Sequence, residues 1–165
     1  MVTMAKKANS GTPALRVLES AGTSFDAYEY EHDPRYEGGF GKETATRLGI
    51  APERVFKTLL ADVDGHLVCA IVPASGMLDL KALAGAVDGK RAAMADPAQA
   101  ERATGYVVGG ISPLGQKQPH RTVIDTSAQG HATVLVSGGK RGLSVELAPA
   151  DLAVLTHATF AAIGR

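Results

Sequence analysis

Residues 55–72 have the sequence VFKTLLADVDGHLVCAIV, in which two apolar, β-rich runs flank the dipeptide Asp64-Gly65. Asp-Gly readily supplies the positive φ values that a tight two-residue turn requires. We therefore predict a β-hairpin with strands at Val55–Val63 and Leu67–Val72. This hairpin is the clearest structural signal in the sequence.

The residues on either side of the hairpin predict a mixture of helices and further strands. Capping residues, prolines and apolar spacing predict helices that begin at Pro13, Lys42, Pro97 and Pro149, and one more with apolar spacing over Leu78–Val87 and Asp79 as its cap. A loop is predicted at 32–39, a last apolar stretch at Ala158–Ile163, and further strands at Phe25–Glu31, Tyr106–Val108, Thr122–Asp125, Ala132–Val136 and Leu143–Leu147. Because these elements do not alternate as steady βαβ units, we expect an α+β fold with a mixed or partly closed sheet.

The composition indicates a single domain of ordinary size. Of the 165 residues 45% are apolar, and 17 Lys and Arg balance 17 Asp and Glu, which argues against nucleic-acid binding through bulk positive charge. The charge-free runs are too short for a transmembrane helix. We expect a soluble cytoplasmic protein with a flexible N-terminal tail at residues 1–10 and one domain at 11–165.

The charges are less evenly distributed than their total suggests. Between residues 105 and 145 the only acidic residue is Asp125, whereas the basic residues are Lys117, Arg121, Lys140 and Arg141. Two interpretations are open: these side chains form a surface that faces an anion, or they are solvated loop charges.

Several common catalytic motifs fail on inspection. Gly139-Lys140 lacks the earlier glycine and the following Ser or Thr of a phosphate-binding loop. The five histidines show no close ligand spacing, so we predict no metal site and no cofactor. Cys69 lies within an apolar run, and we expect it to be a core thiol with a raised pKa rather than a nucleophile.

Lys57 is unusual because it lies in the middle of the apolar strand Val55–Val63. Burying an ammonium group is costly unless the group has a partner or faces a wet cleft. Two interpretations are open: Lys57 serves a site, or it protects an edge strand while its charged end reaches water.

Two glycine-rich turns are the second unusual feature, at residues 109–115 and 137–142. Glycine allows backbone N–H groups to converge on an anion, as in a site that stabilises an oxyanion. The alternative is that both are ordinary tight turns.

The sequence resembles the YbaK/EbsC family, bacterial cysteinyl-tRNA(Pro) deacylases related to the editing domain inserted in prolyl-tRNA synthetases. The resemblance covers nearly the whole chain after the first ten residues, and its most specific segment is Gly105–Lys117. The matching segments are Tyr30–Pro34, Val55–Leu60, Met94–Pro97, Gly105–Lys117 and Val136–Leu143.

The resemblance implies which residues form the site, within a partly closed, barrel-like sheet flanked by helices. The catalytic residues would be Lys57, Gly109 and Gly110. The substrate would be bound by Tyr30, Thr58, Ile111, Ser112, Pro113, Ser137 and Gly138. The implied tRNA contacts are Lys117, Arg121, Lys140 and Arg141. Ser144 stands where relatives often carry Asp, which puts an acid or base role there in doubt.

The implied activity is hydrolysis of mischarged Cys-tRNA(Pro), with prolyl-tRNA synthetase as a partner on the same tRNA. A synthetase site shaped for proline cannot strongly reject the small cysteine, so a second selection step is needed. The resemblance also implies that the substrate's own thiol attacks its ester, which requires no enzymic nucleophile. Two alternatives stay open: a deacylase for another small amino acid such as alanine, and a non-catalytic module that binds aminoacyl-tRNA or a synthetase.

Overall fold

The computed structural model describes residues 2–5 and 11–165, and of residues 2–5 the backbone only. The helices of this part are α1 (Pro13–Ala21), α2 (Phe40–Leu48), α3 (Leu80–Ala86), α4 (Pro97–Thr104) and α5 (Pro149–Thr156), with 3₁₀ turns at Pro52–Arg54 and Thr126–Gly130. The strands are β1 (Val2–Ala5), β2 (Asp26–Tyr30), β3 (Phe56–Val63), β4 (His66–Pro73), β5 (Ala92–Met94), β6 (Arg121–Asp125), β7 (Val134–Ser137), β8 (Leu143–Leu147) and β9 (Thr159–Ala161).

The predicted hairpin is confirmed as β3 and β4. The two strands pair antiparallel from Phe56 opposite Pro73 to Val63 opposite His66. Asp64 and Gly65 form the turn with φ values of 51° and 89°. The hairpin is the centre of a five-stranded sheet in the order β5-β3-β4-β6-β9, in which β6 and β9 run parallel to their neighbours.

The α+β class is confirmed, but the barrel-like sheet is not. The described strands form two sheets, and the second is the four-stranded antiparallel sheet β1-β2-β8-β7. The two sheets meet at an isolated bridge between Val55 and Leu135 and do not close into a barrel. A gap therefore remains along β3 beyond this bridge.

Capping residues set most helix boundaries as predicted. Thr12, Asp79 and Asp96 each accept a backbone N–H from the first turn of α1, α3 and α4. Helices α1 and α4 end at Gly22 and Gly105, which adopt the left-handed conformation that glycine tolerates.

The core lies mainly between the two sheets, and a second apolar cluster packs between the five-stranded sheet and α3. Cys69 is fully buried in the main cluster, and burial raises its pKa to about 12. The prediction that Cys69 is a core thiol is thus confirmed. No helix among the described residues combines the length and apolar character needed to cross a bilayer.

The predicted strand at Tyr106–Val108 is wrong. The Tyr106 N–H donates to the Thr104 Oγ1, and the Val108 N–H donates to the Glu101 carboxylate. The segment turns because local side-chain and loop partners satisfy these groups in place of a neighbouring strand.

Three strands form where no strand was predicted, and one of them, β9, lies within the predicted last apolar stretch. Strand β5 has the sequence Ala-Ala-Met, which carries no β-branched or aromatic residue, and it forms by pairing with Ala61–Val63. Strand β1 lies within the predicted flexible tail and pairs with β2. The rest of that tail, residues 1 and 6–10, lies outside the described residues.

Candidate active site

A cavity of about 290 Å³ lies along β3, in the gap between the two sheets. Strand β5 pairs only with Ala61–Val63, so the half of β3 from Phe56 to Leu60 has no strand on that side. The lining consists of Tyr30, Phe40, Gly41, Thr44, Val55, Phe56, Lys57, Thr58, Leu59, Leu60, Met94, Ala95, Pro97, Ala100, Val108, Gly109, Ile111, Val136, Ser137, Lys140, Gly142, Leu143 and Ser144.

Lys57 is half-buried at the wall of this cavity. Its Nζ donates a hydrogen bond of 2.8 Å to the carbonyl of Gly76. Burial and, secondarily, the nearby Lys42 ammonium lower the pKa of Lys57. The charge of this lysine thus has a partner within the protein, and the residue lies at the wall of a concave site.

Gly76 is itself held by a short strap at residues 163–165. The Met77 N–H donates to the Arg165 carbonyl at 2.8 Å, and the Arg165 N–H returns a bond to Met77. A Cβ added at Gly76 would lie 2.7 Å from the Arg165 carbonyl oxygen, so glycine permits this close approach. Asp125 fixes the strap by accepting the backbone N–H groups of Ile163 and Gly164.

The two glycine-rich turns pack against each other beside the cavity. Gly109 has a φ of 89°, and a Cβ there would lie 2.5 Å from the Phe40 ring. A Cβ at Gly110 would lie 2.7 Å from the Cα of Lys140. Arg141 joins the turns, because its Nε donates to the Val108 carbonyl at 2.9 Å while its guanidinium lies over Phe40.

Hydroxyl groups supply most of the polar lining. The Tyr30 hydroxyl lies 2.6 Å from the Thr44 Oγ1, and burial raises the pKa of Tyr30. Ser137 and Ser144 are opposite each other in the β7–β8 register. The Thr58 Oγ1 is buried and has no hydrogen-bond partner among the described residues. A buried hydroxyl without a partner is costly, and a ligand in the cavity would be able to supply one.

The buried carboxylate of Glu43 stabilises the part of the cavity wall that contains Phe40. Glu43 is 1% exposed; one oxygen lies 2.6 Å from the His32 Nδ1 and the other accepts the Asp33 N–H at 2.9 Å. The His32 and Phe40 rings lie 5.1 Å apart. Sequence reasoning assigned residues 32–39 to a loop and gave no role to Glu43.

The structure brings together about half of the predicted site. Residues at the cavity are Lys57, Gly109, Tyr30, Thr58, Ile111, Ser137 and Lys140. Gly110, Ser112, Pro113 and Gly138 are outside its lining. Ser112 is fully buried, and its Oγ accepts the Leu114 N–H within its own turn.

The four residues predicted to contact tRNA lie in different surroundings. Lys140 lines the cavity, and its Nζ lies 3.8 Å from a Glu29 carboxylate oxygen. Arg141 is tied to the glycine turn, and Arg121 donates to the Val87 carbonyl that follows α3. Lys117 binds the Thr104 carbonyl through its backbone N–H.

Several lining residues were not predicted, notably Phe40, Thr44, Met94 and Pro97, whereas Ser144, which the sequence analysis singled out, lies in the lining. The segment Met94–Pro97 was one of the segments that carried the family resemblance, so a signal for it existed. Within residues 2–5 and 11–165, no group of three or more His, Cys, Asp or Glu side chains is placed to hold a metal ion.

The sequence matches known proteins over most of its length. The profile of the aminoacyl-tRNA editing domain family matches residues 41–155. EbsC of Enterococcus faecalis, an inferred Cys-tRNA(Pro)/Cys-tRNA(Cys) deacylase, is 36% identical over 160 residues, which are 96% of each chain. Proline–tRNA ligase of Geobacillus kaustophilus is 28% identical over 104 residues, 63% of this chain and 18% of that enzyme.

Solved structures show the same fold. A crystal structure of an inferred trans-editing enzyme for prolyl-tRNA synthetase superposes with a TM-score of 0.81 at 25% identity. The superposition covers 94% of this chain and 99% of that one.

Proposed function

The chain belongs to the aminoacyl-tRNA editing domain family, and on that premise we propose that it is a trans-editing hydrolase that deacylates mischarged Cys-tRNA(Pro). The observation that supports this proposal is the position of Lys57, which lines the cavity together with Gly109 and whose ammonium is held by the Gly76 carbonyl. The relatives named for Cys-tRNA(Pro) deacylation and for trans-editing support the choice of substrate.

The cavity suits an ester whose bond must be broken without a protein nucleophile. Its lining carries hydroxyl groups and one half-buried ammonium, while Cys69 is buried elsewhere with a pKa raised to about 12. A thiol with that pKa is almost fully protonated at neutral pH and is a poor nucleophile. Hydroxyl groups line the cavity, but no histidine or carboxylate of the described chain lines it to deprotonate one of them. We therefore assign the attacking group to the substrate or to water.

In the mechanism that we propose, the thiolate sulfur of the esterified cysteine attacks its own carbonyl carbon. The carbon–sulfur bond forms, the bond to the ribose oxygen breaks, and the proton released by the thiol passes to that oxygen. The products are a cyclic thioester, which water opens to cysteine, and free tRNA. Holding sulfur and carbonyl close together supplies a large part of the rate enhancement.

The protein's part is to hold the ester and to stabilise the negative charge that develops on its carbonyl oxygen. The Lys57 ammonium is one donor for this oxygen, and it is effective because the cavity is largely apolar. A backbone N–H of β3 is a second donor for this oxygen. In an antiparallel strand, the backbone groups of every second residue point to the same edge. The Leu60 carbonyl accepts the Ala95 N–H on the β5 side, so the Thr58 N–H points to that side too.

Selection of the tRNA would come from prolyl-tRNA synthetase. A chain with no net charge binds RNA weakly through bulk electrostatics. If the synthetase and this protein hold the same tRNA, the effective concentration of the ester at the cavity rises without any new contact.

The test is product analysis with three substrates. Purified protein is incubated with Cys-tRNA(Pro), Ser-tRNA(Pro) and Ala-tRNA(Pro), and released products are identified by mass spectrometry beside a protein-free control. We expect fast release from Cys-tRNA(Pro) only, with a thiolactone preceding free cysteine. Equal cleavage of the Ser or Ala esters would refute the thiol-assisted step, and cleavage of none would refute the proposed function.

A further inference from the structure

Edge strand β5 borders two concave surfaces. Met94 and the following Ala95 line the cavity described above, whereas Ala92 and Ala93 line a shallower groove of about 530 Å³. Because these four residues are consecutive, the groove and the cavity adjoin neighbouring parts of the same segment. A ligand that extends out of the cavity on this side reaches the groove next.

The groove presents unpaired cations. Lys81, Lys90 and Arg91 line it, all three are exposed, and none forms an ion pair within residues 2–5 and 11–165. Lys90 attracts the Asp64 carboxylate electrostatically, but none of the three side chains has a hydrogen bond within the described chain, so each retains donors for an external anion.

Two carboxylates also line the groove, but both are engaged with the backbone. Asp62 accepts the Gly65 N–H at 2.8 Å. Asp64 accepts the Lys90 and Arg91 N–H groups at 2.8 and 3.0 Å, and these bonds hold its pKa below the usual range. Asp64 thus fixes the backbone from which the Lys90 and Arg91 side chains extend outward.

An apolar rim joins the cavity to this charged groove. Met94 is 49% exposed, and Pro97 is also exposed at the start of α4. Proteins that bind single-stranded nucleic acid combine a surface on which bases rest with a cationic track for the phosphates. The order Pro97, Met94, Arg91, Lys90 along the β5 side has this arrangement.

This inference rests on the proposed function: we infer that the single-stranded 3′ end of the tRNA leaves the cavity along β5, with its phosphates at Lys90, Arg91 and Lys81. An ester in the cavity carries the terminal ribose at its mouth, so the preceding phosphates must lie close by. From Met94 to Arg91 the strand spans about 10 Å, a distance that one or two nucleotides bridge.

The alternative exit, past Lys140 and Arg141, offers less free charge. Lys140 has Glu29 as a neighbour, and Arg141 is bound to the Val108 carbonyl and lies over Phe40. The groove beside β5 is therefore the stronger phosphate site. The competing explanation for its lysines is protection of an edge strand from pairing with other chains.

The experiment compares two double variants that remove the same charge. Lys90→Gln/Arg91→Gln changes the groove, and Arg16→Gln/Arg35→Gln changes exposed arginines on α1 and on the loop before α2. Each is assayed with Cys-tRNA(Pro) and with 3′-O-cysteinyl adenosine, which has no phosphate. The side chains of Lys90 and Arg91 carry no hydrogen bond within the described chain, so this variant should fold.

We expect the groove variant to raise KM for Cys-tRNA(Pro) about three- to tenfold. The slope of log(kcat/KM) against log salt should become shallower by about 1.4, since each single-strand phosphate contact contributes about 0.7. With the nucleoside ester, the groove variant should have the same kinetics as the unsubstituted protein. The arginine variant should have the same kinetics as the unsubstituted protein with both substrates.

Three results overturn the inference. If the groove variant and the arginine variant have equal KM values for tRNA, the groove does not bind the acceptor strand, while the proposed function stands. If the nucleoside ester is affected as strongly as the tRNA, the substitutions act on the cavity. If the unsubstituted protein cleaves neither substrate, the proposed function fails and this inference fails with it.

Discussion

The two halves of β3 have the same strand geometry but different surroundings. Ala61–Val63 is paired on both edges, with β4 on one side and β5 on the other. Phe56–Leu59 is paired with β4 only, Leu60 has one further bond from the Ala95 N–H, and the other edge of this half borders the cavity. The apolar residues of the closed half are buried, whereas the open half holds a half-buried lysine and a hydroxyl without a partner.

This difference separates the half of β3 that stabilises the sheet from the half that borders the cavity. In the closed half, side chains and backbone groups are satisfied within the protein. In the open half, Lys57 donates to the Gly76 carbonyl, whereas the Thr58 hydroxyl has no partner within the described chain, and such a group costs free energy until a ligand supplies a partner. Substitutions in the two halves should therefore change different measured quantities.

The largest effect is expected from Lys57→Met in the open half. Methionine keeps an unbranched apolar stem but removes the ammonium that we assign to the developing oxyanion. We expect kcat/KM for Cys-tRNA(Pro) to fall by about 10²–10³. Thermal unfolding should occur at an equal or higher temperature, because burial disfavours the charged lysine. Unchanged turnover would remove Lys57 from the mechanism, and loss of the folded state would give it a structural role.

The matched substitution in the closed half is Val63→Ala. Val63 is 4% exposed and packs in the cluster beneath α3. Its truncation should lower the free energy of unfolding by roughly 1.5–3 kcal/mol, measured by denaturant titration, and leave kcat/KM unchanged. A fall in activity without a loss of stability would mean that the two halves are not functionally separate.

Local signals in the sequence were sufficient for most of the fold. The Asp64-Gly65 turn gave the hairpin, and Thr12, Asp79 and Asp96 gave three helix starts. The strand order was not predictable, because it depends on contacts between distant segments. Strand β5 illustrates this point: its three residues have low β-propensity and pair only because β3 is already in place.

The site was predictable where a residue is chemically out of place and not where it depends on packing. Lys57 stands out in an apolar strand, and the glycine turns stand out in composition. Glu43 gave no such signal, because a glutamate on a short helix is ordinarily exposed. Its burial follows from His32 and the Asp33 backbone, which a loop ten residues away brings to it.

The next largest effect should come from Gly76→Ala, which tests the contact between Lys57 of the open half and the Gly76 carbonyl. The new methyl would meet the Arg165 carbonyl oxygen at 2.7 Å and displace the carbonyl that accepts the Lys57 ammonium. Losing an acceptor for the charged form lowers the pKa of Lys57 further. Since we assign the activity to the ammonium form, we expect activity to fall at a lower pH on the alkaline side of the pH–rate profile.

The control for this substitution is Gly85→Ala. Gly85 lies within α3, and nothing lies within 4 Å of a Cβ added there. Alanine should stabilise this helix by up to about 1 kcal/mol and leave the pH–rate profile unchanged. An alkaline limb that stays in place in Gly76→Ala would show that the Gly76 carbonyl does not govern the ionisation of Lys57.

The smallest effect, but the most direct comparison, is expected from Thr58→Val set against Thr122→Val. Thr58 Oγ1 has no partner within the described chain, whereas Thr122 Oγ1 donates to the His120 carbonyl at 2.9 Å. Removing the first hydroxyl should raise the free energy of unfolding by about 1 kcal/mol, and removing the second should lower it by about the same amount.

Substrate binding should respond in the opposite sense. If the Thr58 hydroxyl finds its partner in the ester or the terminal ribose, Thr58→Val raises KM for Cys-tRNA(Pro) by about tenfold or less, the worth of one hydrogen bond. Thr122→Val should leave KM unchanged, because Thr122 does not line the cavity. If Thr58→Val destabilises the protein as much as Thr122→Val does, the Thr58 hydroxyl already has a partner before the substrate binds. The open half of β3 would then differ from the closed half in shape alone.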